Sequence, residues 1–209
     1  MTSVIFDLPG HYLGTFCEVE SFEEFKSKSP KLFEVAWNFA KKKFSEHYPL
    51  YENYLSDEDF QLILGGHSLG ALLAIKGLQL ECLSSLKKSA ICVGLGLPEE
   101  KKTHLFQTPF YKSTLVIRGQ LVSPQLDPEK IFPWITEEKK NFSVSNHEIH
   151  MICGKDDLVV GDGGVQRLIK ILERYGNMVS VDEPTRLPHH TPEAAAGFIK
   201  KYLKSKGVI

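Results

Sequence analysis

The residues with the clearest chemistry are Gly66-His67-Ser68-Leu69-Gly70. They sit between the apolar run Leu62-Ile63-Leu64 and a helical pattern built from Leu69, Leu72, Leu73 and Leu80. A strand that turns this sharply into a helix forces its corner residue into a strained backbone conformation, and small residues at Gly66 and Gly70 let the two elements approach. The corner side chain then stands above the strand end, beside the positive end of the helix. A serine there is a nucleophile, and the Leu69 N–H is already aimed at a developing oxyanion. The same glycine-rich turn can also carry a merely exposed serine. What separates the two readings is a base on the same rim, with a third group to orient it.

Both partners are present, in the order Ser…Asp…His. The apolar run that ends at Cys153 is closed by Gly154-Lys155-Asp156-Asp157, so Asp156 or Asp157 stands in the loop at the carboxyl end of a strand. Leu187-Pro188-His189-His190-Thr191-Pro192 follows the last strand-like run and directly precedes the last helical pattern. That puts His189 or His190 on the same rim, where open α/β sheets carry their ligands and catalytic groups. Asp127 is a further candidate for the acid. His147 and His150, three apart on a strand, point to opposite faces. With no cysteine or carboxylate cluster beside them, no metal and no cofactor are expected. His67 reads as a packing residue of the turn, and Lys41-Lys42-Lys43 as the solvated face of a helix.

The elements that place these groups alternate along the chain. Short apolar runs occupy Ser3–Asp7, Gln61–Leu64, Ala90–Leu95, Thr114–Ile117, Glu148–Cys153 and Met178–Val181, each bounded by Gly, Pro, Asn or charge. Helical patterns lie between them. Leu32, Val35, Ala36, Phe39, Ala40 and Phe44 follow Ser29-Pro30, read as an N-cap and first-turn proline. Val165, Leu168, Ile169 and Leu172 precede Gly176, and Thr191-Pro192 opens a last helix carrying Phe198, Ile199, Tyr202 and Leu203 before Gly207. This order predicts an α/β fold, a three-layer sandwich with a mainly parallel sheet of about six strands. A single domain over residues 1–209 is expected, with a cap or edge excursion at 96–146, a stretch that holds five of the eleven prolines.

Composition narrows the partners. Lys+Arg 25 against Asp+Glu 26 gives a formal charge of −1, so no global field draws in nucleic acid or an anionic membrane. No run is long enough to span a bilayer, and Met1-Thr2-Ser3-Val4-Ile5-Phe6-Asp7 lacks a basic segment of the secretory kind. The four cysteines (Cys17, Cys82, Cys92, Cys153) form no CxxC pair and read as reduced thiols, mostly in the core. A soluble cytoplasmic protein is the expectation.

Gly66-His67-Ser68-Leu69-Gly70, Gly154-Lys155-Asp156-Asp157 and His189-His190-Thr191-Pro192, in this order and strand context, resemble the α/β-hydrolase superfamily, and within it the small serine hydrolases of the esterase and thioesterase kind. The resemblance runs from Gln61 to the C-terminus. It implies Ser68 as nucleophile, Asp157 as orienting acid, because the superfamily's Gly-x-x-Asp count lands on it, and His189 as base, because small members show His-x-x-Pro here. Asp156, His190 and Asp127 are the alternatives. The resemblance also implies an oxyanion hole with the Leu69 N–H as one donor. The segment Val4–His11 has two readings. Either its strand is the one whose loop supplies the second donor, from His11 or Tyr12, or it matches the next strand of the superfamily, which often runs Asp-x-Pro-Gly-His.

The activity so implied is hydrolysis of a small-molecule carboxylic ester or thioester through an acyl-enzyme. An acyltransferase is the second reading, since Gly-His-Ser-Leu-Gly also occurs in malonyl-type acyltransferases. Those enzymes clamp the substrate carboxylate with an arginine soon after the nucleophile, whereas the first arginine here is Arg118. A hydrolase-fold binding protein without activity is the third. Phe106, Phe110, Tyr111, Phe132 and Trp134 fit either an acyl pocket or ordinary packing.

Overall fold

The computed structural model describes residues 2–11, 19–51, 56, 59–99, 109 and 122–209. Four strands, β1 (Gln61–His67), β2 (Lys87–Val93), β3 (Glu148–Ile152) and β4 (Met178–Asp182), form one sheet in that spatial order, with every pair parallel. Parallel neighbours need a crossover between them. Helix α3 (Leu69–Gly77) joins β1 to β2, α4 (Pro128–Lys140) lies between β2 and β3, and α5 (Gly164–Glu173) joins β3 to β4. Two earlier helices, α1 (Phe22–Lys28) and α2 (Leu32–His47), precede the sheet, and α6 (Ala196–Ser205) closes the chain.

Strand alternation divides the core into two faces. Leu64, Ala90, Cys92, Ile149 and Met151 meet α2, α3 and α5 through Phe33, Trp37, Leu72, Leu168 and Leu172. Ile91, Val93 and Ile152 point the other way, onto Tyr202 and Leu203 of α6. The three layers are therefore present, but about six strands is corrected to four among the described residues. Ser3–Asp7 has no regular secondary structure and joins no ladder among the described residues. Its Phe6 rests edge-on against Phe33 of α2 with ring centroids 5.3 Å apart, so a helix rather than a strand draws that side chain in, and Ile5 is left 91% exposed. Thr114–Ile117 lies outside the described residues.

Local capping explains two further differences. Ser21 accepts from the Glu24 N–H and starts α1, a helix absent from the periodicity reading although its Ser-x-x-Glu signal is present. Ser29 does not cap α2. Its hydroxyl donates back to Phe25 O at 2.6 Å and closes α1 instead. Within the 96–146 stretch, Asp127 caps α4 by accepting from the Glu129 N–H, with Pro128 in the first turn. Helices α1 and α4 share a small cluster of Val19, Phe25, Leu126 and Ile131, and Leu69 reaches into it. Cys92 and Cys153 are buried free thiols, whereas Cys82 is exposed; Cys17 lies outside the described residues. No helix among the described residues is long and apolar enough to cross a membrane.

Candidate active site

The last ladder row is His67, Val93, Ile152 and Asp182, residues that are register partners across all four strands. Ser68, Gly94, Cys153 and Glu183 each leave the sheet from that row, so the loops that follow start level with one another.

Ser68 has φ 52° and ψ −111°, a non-glycine residue in a sparsely populated region. Such a backbone costs about 1–3 kcal/mol. The turn is held by Ser68 N–H donating to Val93 O at 2.9 Å and by Leu72 N–H donating to Ser68 O. Behind it α3 buries Leu72, Leu73 and Ile75, and burial contributes about 1.5–3 kcal/mol for each such side chain. Packing therefore outweighs the strain. Gly66 is the residue that close approach requires: a Cβ there would lie 2.3 Å from the Gly70 carbonyl carbon. Gly70 contributes only its backbone to that contact, for a Cβ on Gly70 itself would meet nothing within 4 Å. As the first residue of α3, Leu69 has no intrahelical acceptor for its N–H.

The structure brings Ser68, His189 and Asp157 together. His189 Nε2 lies 3.1 Å from Ser68 Oγ, and His189 Nδ1 lies 2.9 Å from Asp157 Oδ2. An ionised carboxylate only accepts, so Nδ1 carries the proton and Nε2 is left to accept from the Ser68 hydroxyl. Asp157 is 4% exposed. Burial alone would raise its pKa, but the hydrogen bond from His189 and those from the Val160 and Val159 N–H groups to Oδ1 hold the carboxyl below its ordinary value. The Cys153 thiol lies 3.7 Å from Oδ2, and burial together with that carboxylate pushes its own pKa up, keeping it protonated.

Asp156, the alternative acid, does different work. Its Oδ1 accepts from the Leu187 N–H at 2.8 Å and so fastens the loop that carries His189. Gly154 serves the same junction, since a Cβ there would come within 2.3 Å of Leu187 O. His190, exposed, sets its ring edge-on to that of His189 at 5.5 Å. Asp127 is the exposed cap of α4 already described. The His11 N–H donates to Leu8 O at 3.1 Å, closing a turn whose Gly10 O accepts from Ser123 N–H. The His11 N–H is thus engaged within that turn, and Tyr12 lies outside the described residues. Phe132 and Trp134 pack in the small α1–α4 cluster, while Phe106, Phe110 and Tyr111 lie outside the described residues. Sequence reasoning missed Gly94, with φ +61°, whose backbone passes directly against the rings of His67 and His189. Its only trace in the sequence is a glycine one residue past a strand. No grouping of potential metal ligands occurs among the described residues.

No protein-family model and no curated protein sequence matches the chain. Solved structures do. A monoacylglycerol lipase from Paleococcus ferrophilus superposes with a TM-score of 0.54 at 16% identity, over 96% of this chain and 82% of the lipase. An alpha/beta superfamily hydrolase from Oenococcus oeni gives 0.47 at 17% identity, over 95% of this chain and 79% of that one. The Pyrococcus furiosus esterase Pf2001 gives 0.44 at 17% identity, over 86% and 62%. The first of these carries the comparison, and it establishes the fold: the chain has an α/β-hydrolase architecture.

Proposed function

We propose that the chain is a serine hydrolase that cleaves a carboxylic ester or thioester of a small molecule through an acyl-enzyme. The observation that carries this reading is the line of contacts from Ser68 Oγ through His189 to Asp157, at 3.1 and 2.9 Å. Ser68 Oγ attacks the acyl carbon as His189 Nε2 takes its proton. The tetrahedral oxyanion faces the Leu69 N–H at the positive end of α3. His189 then returns the proton to the departing alcohol or thiol, and water repeats the sequence to release the acid. Asp157 keeps the imidazole in the required tautomer and stabilises the imidazolium as it forms.

A second reading, a hydrolase-fold binding protein without catalysis, draws its support from the Leu8–His11 turn, where the His11 N–H is already engaged. Losing one oxyanion donor costs about 3–4 kcal/mol of transition-state stabilisation. Labelling with a fluorophosphonate probe, with the modified peptide located by mass spectrometry, separates the two. The hydrolase reading expects rapid modification of Ser68 that is lost in Ser68→Ala and slowed at least about 10³-fold in His189→Ala. A folded, monodisperse sample that does not label would hand the lead to the binding protein.

A further inference from the structure

His67 sits inside the turn that presents Ser68, and its ring packs on that of His189, with centroids 4.7 Å apart and planes inclined at 51°. Gly94 closes the other side: a Cβ there would come within 2.9 Å of His67 Nε2 and 3.2 Å of His189 Nδ1. The crevice lined by His67, Gly94, Gly154, Asp157, Leu187 and His189 has no room for a water molecule. No hydrogen bond of ordinary geometry reaches the buried His67 Nε2 among the described residues, although the His189 backbone lies near enough to favour the charged ring slightly. Burial first, and then the proximity of His189, push the His67 pKa down to about 4, so the ring is neutral in the range where His189 works.

The hydrogen bonds of His189 leave some freedom. The ring is tethered at Cγ and held at Nδ1 and Nε2, so its remaining motion is small coupled rotation about χ1 and χ2 that stretches both hydrogen bonds. Packing of the tilted His67 ring against His189 resists that motion. We propose that His67 is a positioning residue for His189: its packed neutral ring damps rotation of that imidazole away from Ser68 and keeps water off one of its faces. The proposal rests on the roles given above to Ser68 and His189.

The charged and titratable groups that face the pair are few. His67 is faced by His189, His190 and Asp157, and His189 is faced by Asp157, Ser68, His67 and His190. Deleting the His67 ring admits water to His189, and water stabilises the imidazolium. The acid limb of the rate profile then moves to higher pH.

The test is the rate of fluorophosphonate labelling of Ser68 from pH 4.5 to pH 9 in the wild type, His67→Ala and His67→Phe, each checked for folding by circular dichroism. His67→Ala is expected to label about tenfold or more slowly, since small misplacements of reacting groups are costly, with its acid limb at higher pH. His67→Phe, which restores a flat ring, is expected to recover most of the rate and the wild-type limb. A folded His67→Ala protein with the wild-type rate and limb overturns the proposal. So does slow labelling with an unmoved limb that Phe does not rescue, which assigns His67 to folding alone. Should the alanine variant fail to fold, His67→Asn is judged by the same criteria. A wild type that never labels removes the nucleophile and base assignments themselves, a result distinct from any failure at His67.

Discussion

Two regions of the molecule are built in different ways. On the side of the proposed acid and base, the loops after β3 and β4 leave the sheet from one ladder row, and both carboxylates are paired. Asp157 Oδ1 takes the Val159 and Val160 N–H groups, Oδ2 takes His189, and Asp156 takes the Leu187 N–H. The Leu8–His11 turn, by contrast, belongs to no sheet among the described residues. It is held by the Ser123 N–H donating to Gly10 O and by the antiparallel bridge between His11 and Val122, in packing so close that a Cβ on Gly10 would strike Val19 and Leu126. The difference teaches where precision comes from. Strand register places Ser68, His189 and Asp157 to within a hydrogen bond of one another, whereas the turn is placed by a short backbone bridge to residues 122–123 and by close packing.

The strongest way to test that contrast is to damage the acid–base side without changing its shape. Asp157→Asn keeps the backbone N–H contacts to Oδ1 but lets the side chain donate to His189, which favours the wrong tautomer. A fall of about 10⁴-fold in kcat is expected, measured on a p-nitrophenyl ester with circular dichroism unchanged. Acid stability supplies a second readout. The folded pKa of Asp157 is depressed, so its contribution is fully present above the unfolded value of about 3.9 and is lost as pH falls through the lower folded value. Urea midpoints between pH 6 and pH 2 should therefore fall less steeply in Asp157→Asn than in the wild type. Activity within tenfold of the wild type would mean that the paired loops serve the fold rather than the reaction.

The next effect is on the turn that presents Ser68. Gly66→Ala drives a Cβ into the Gly70 backbone at 2.3 Å. Backbone has little room to yield, and a loss of about 3 kcal/mol is expected, read as a drop of roughly 6–12 °C in melting temperature for a chain of this size together with loss of Ser68 labelling. Gly70→Ala is the matched control. Its Cβ meets open space inside a helix, where alanine is about 1 kcal/mol better than glycine. Equal damage from the two substitutions would show that the turn is sensitive to any added atom and not to the Gly66–Gly70 contact.

The same physical division explains what the sequence disclosed. Apolar runs of four to six residues recur at each parallel strand, at the exposed edge strand β4 as well as in buried β3, so β1, β2, β3 and β4 were legible, and with them the rim that holds Ser68, Asp157 and His189. Ser3–Asp7 has the same composition, yet whether it pairs depends on a neighbour that the run itself does not encode. Its Phe6 found Phe33 of α2 instead. Gly66 and Gly70 look identical in a Gly-x-Ser-x-Gly pattern, but only the folded turn distinguishes the glycine that must lack a Cβ from the one whose backbone it meets. Gly94 carries no motif at all. Its importance comes from two histidines that are 122 positions apart in the chain, His67 and His189.

Asp156 gives the finest division of labour, because it neighbours Asp157 in sequence and differs in role. Asp156→Ala leaves the Leu187 N–H without its acceptor at a buried position, at a cost of about 1–3 kcal/mol. The loop then holds His189 less firmly while the Asp157–His189 pair itself keeps all its atoms. Chemical denaturation should show the stability loss, and kcat should fall far less than in Asp157→Asn. Asp156→Asn, which retains Oδ1 as an acceptor, should recover most of the stability. If Asp156→Ala instead matched Asp157→Asn in kcat with stability unchanged, Asp156 would be acting on the reaction, and the separation between loop fastening and proton transfer drawn from these two carboxylates would fall.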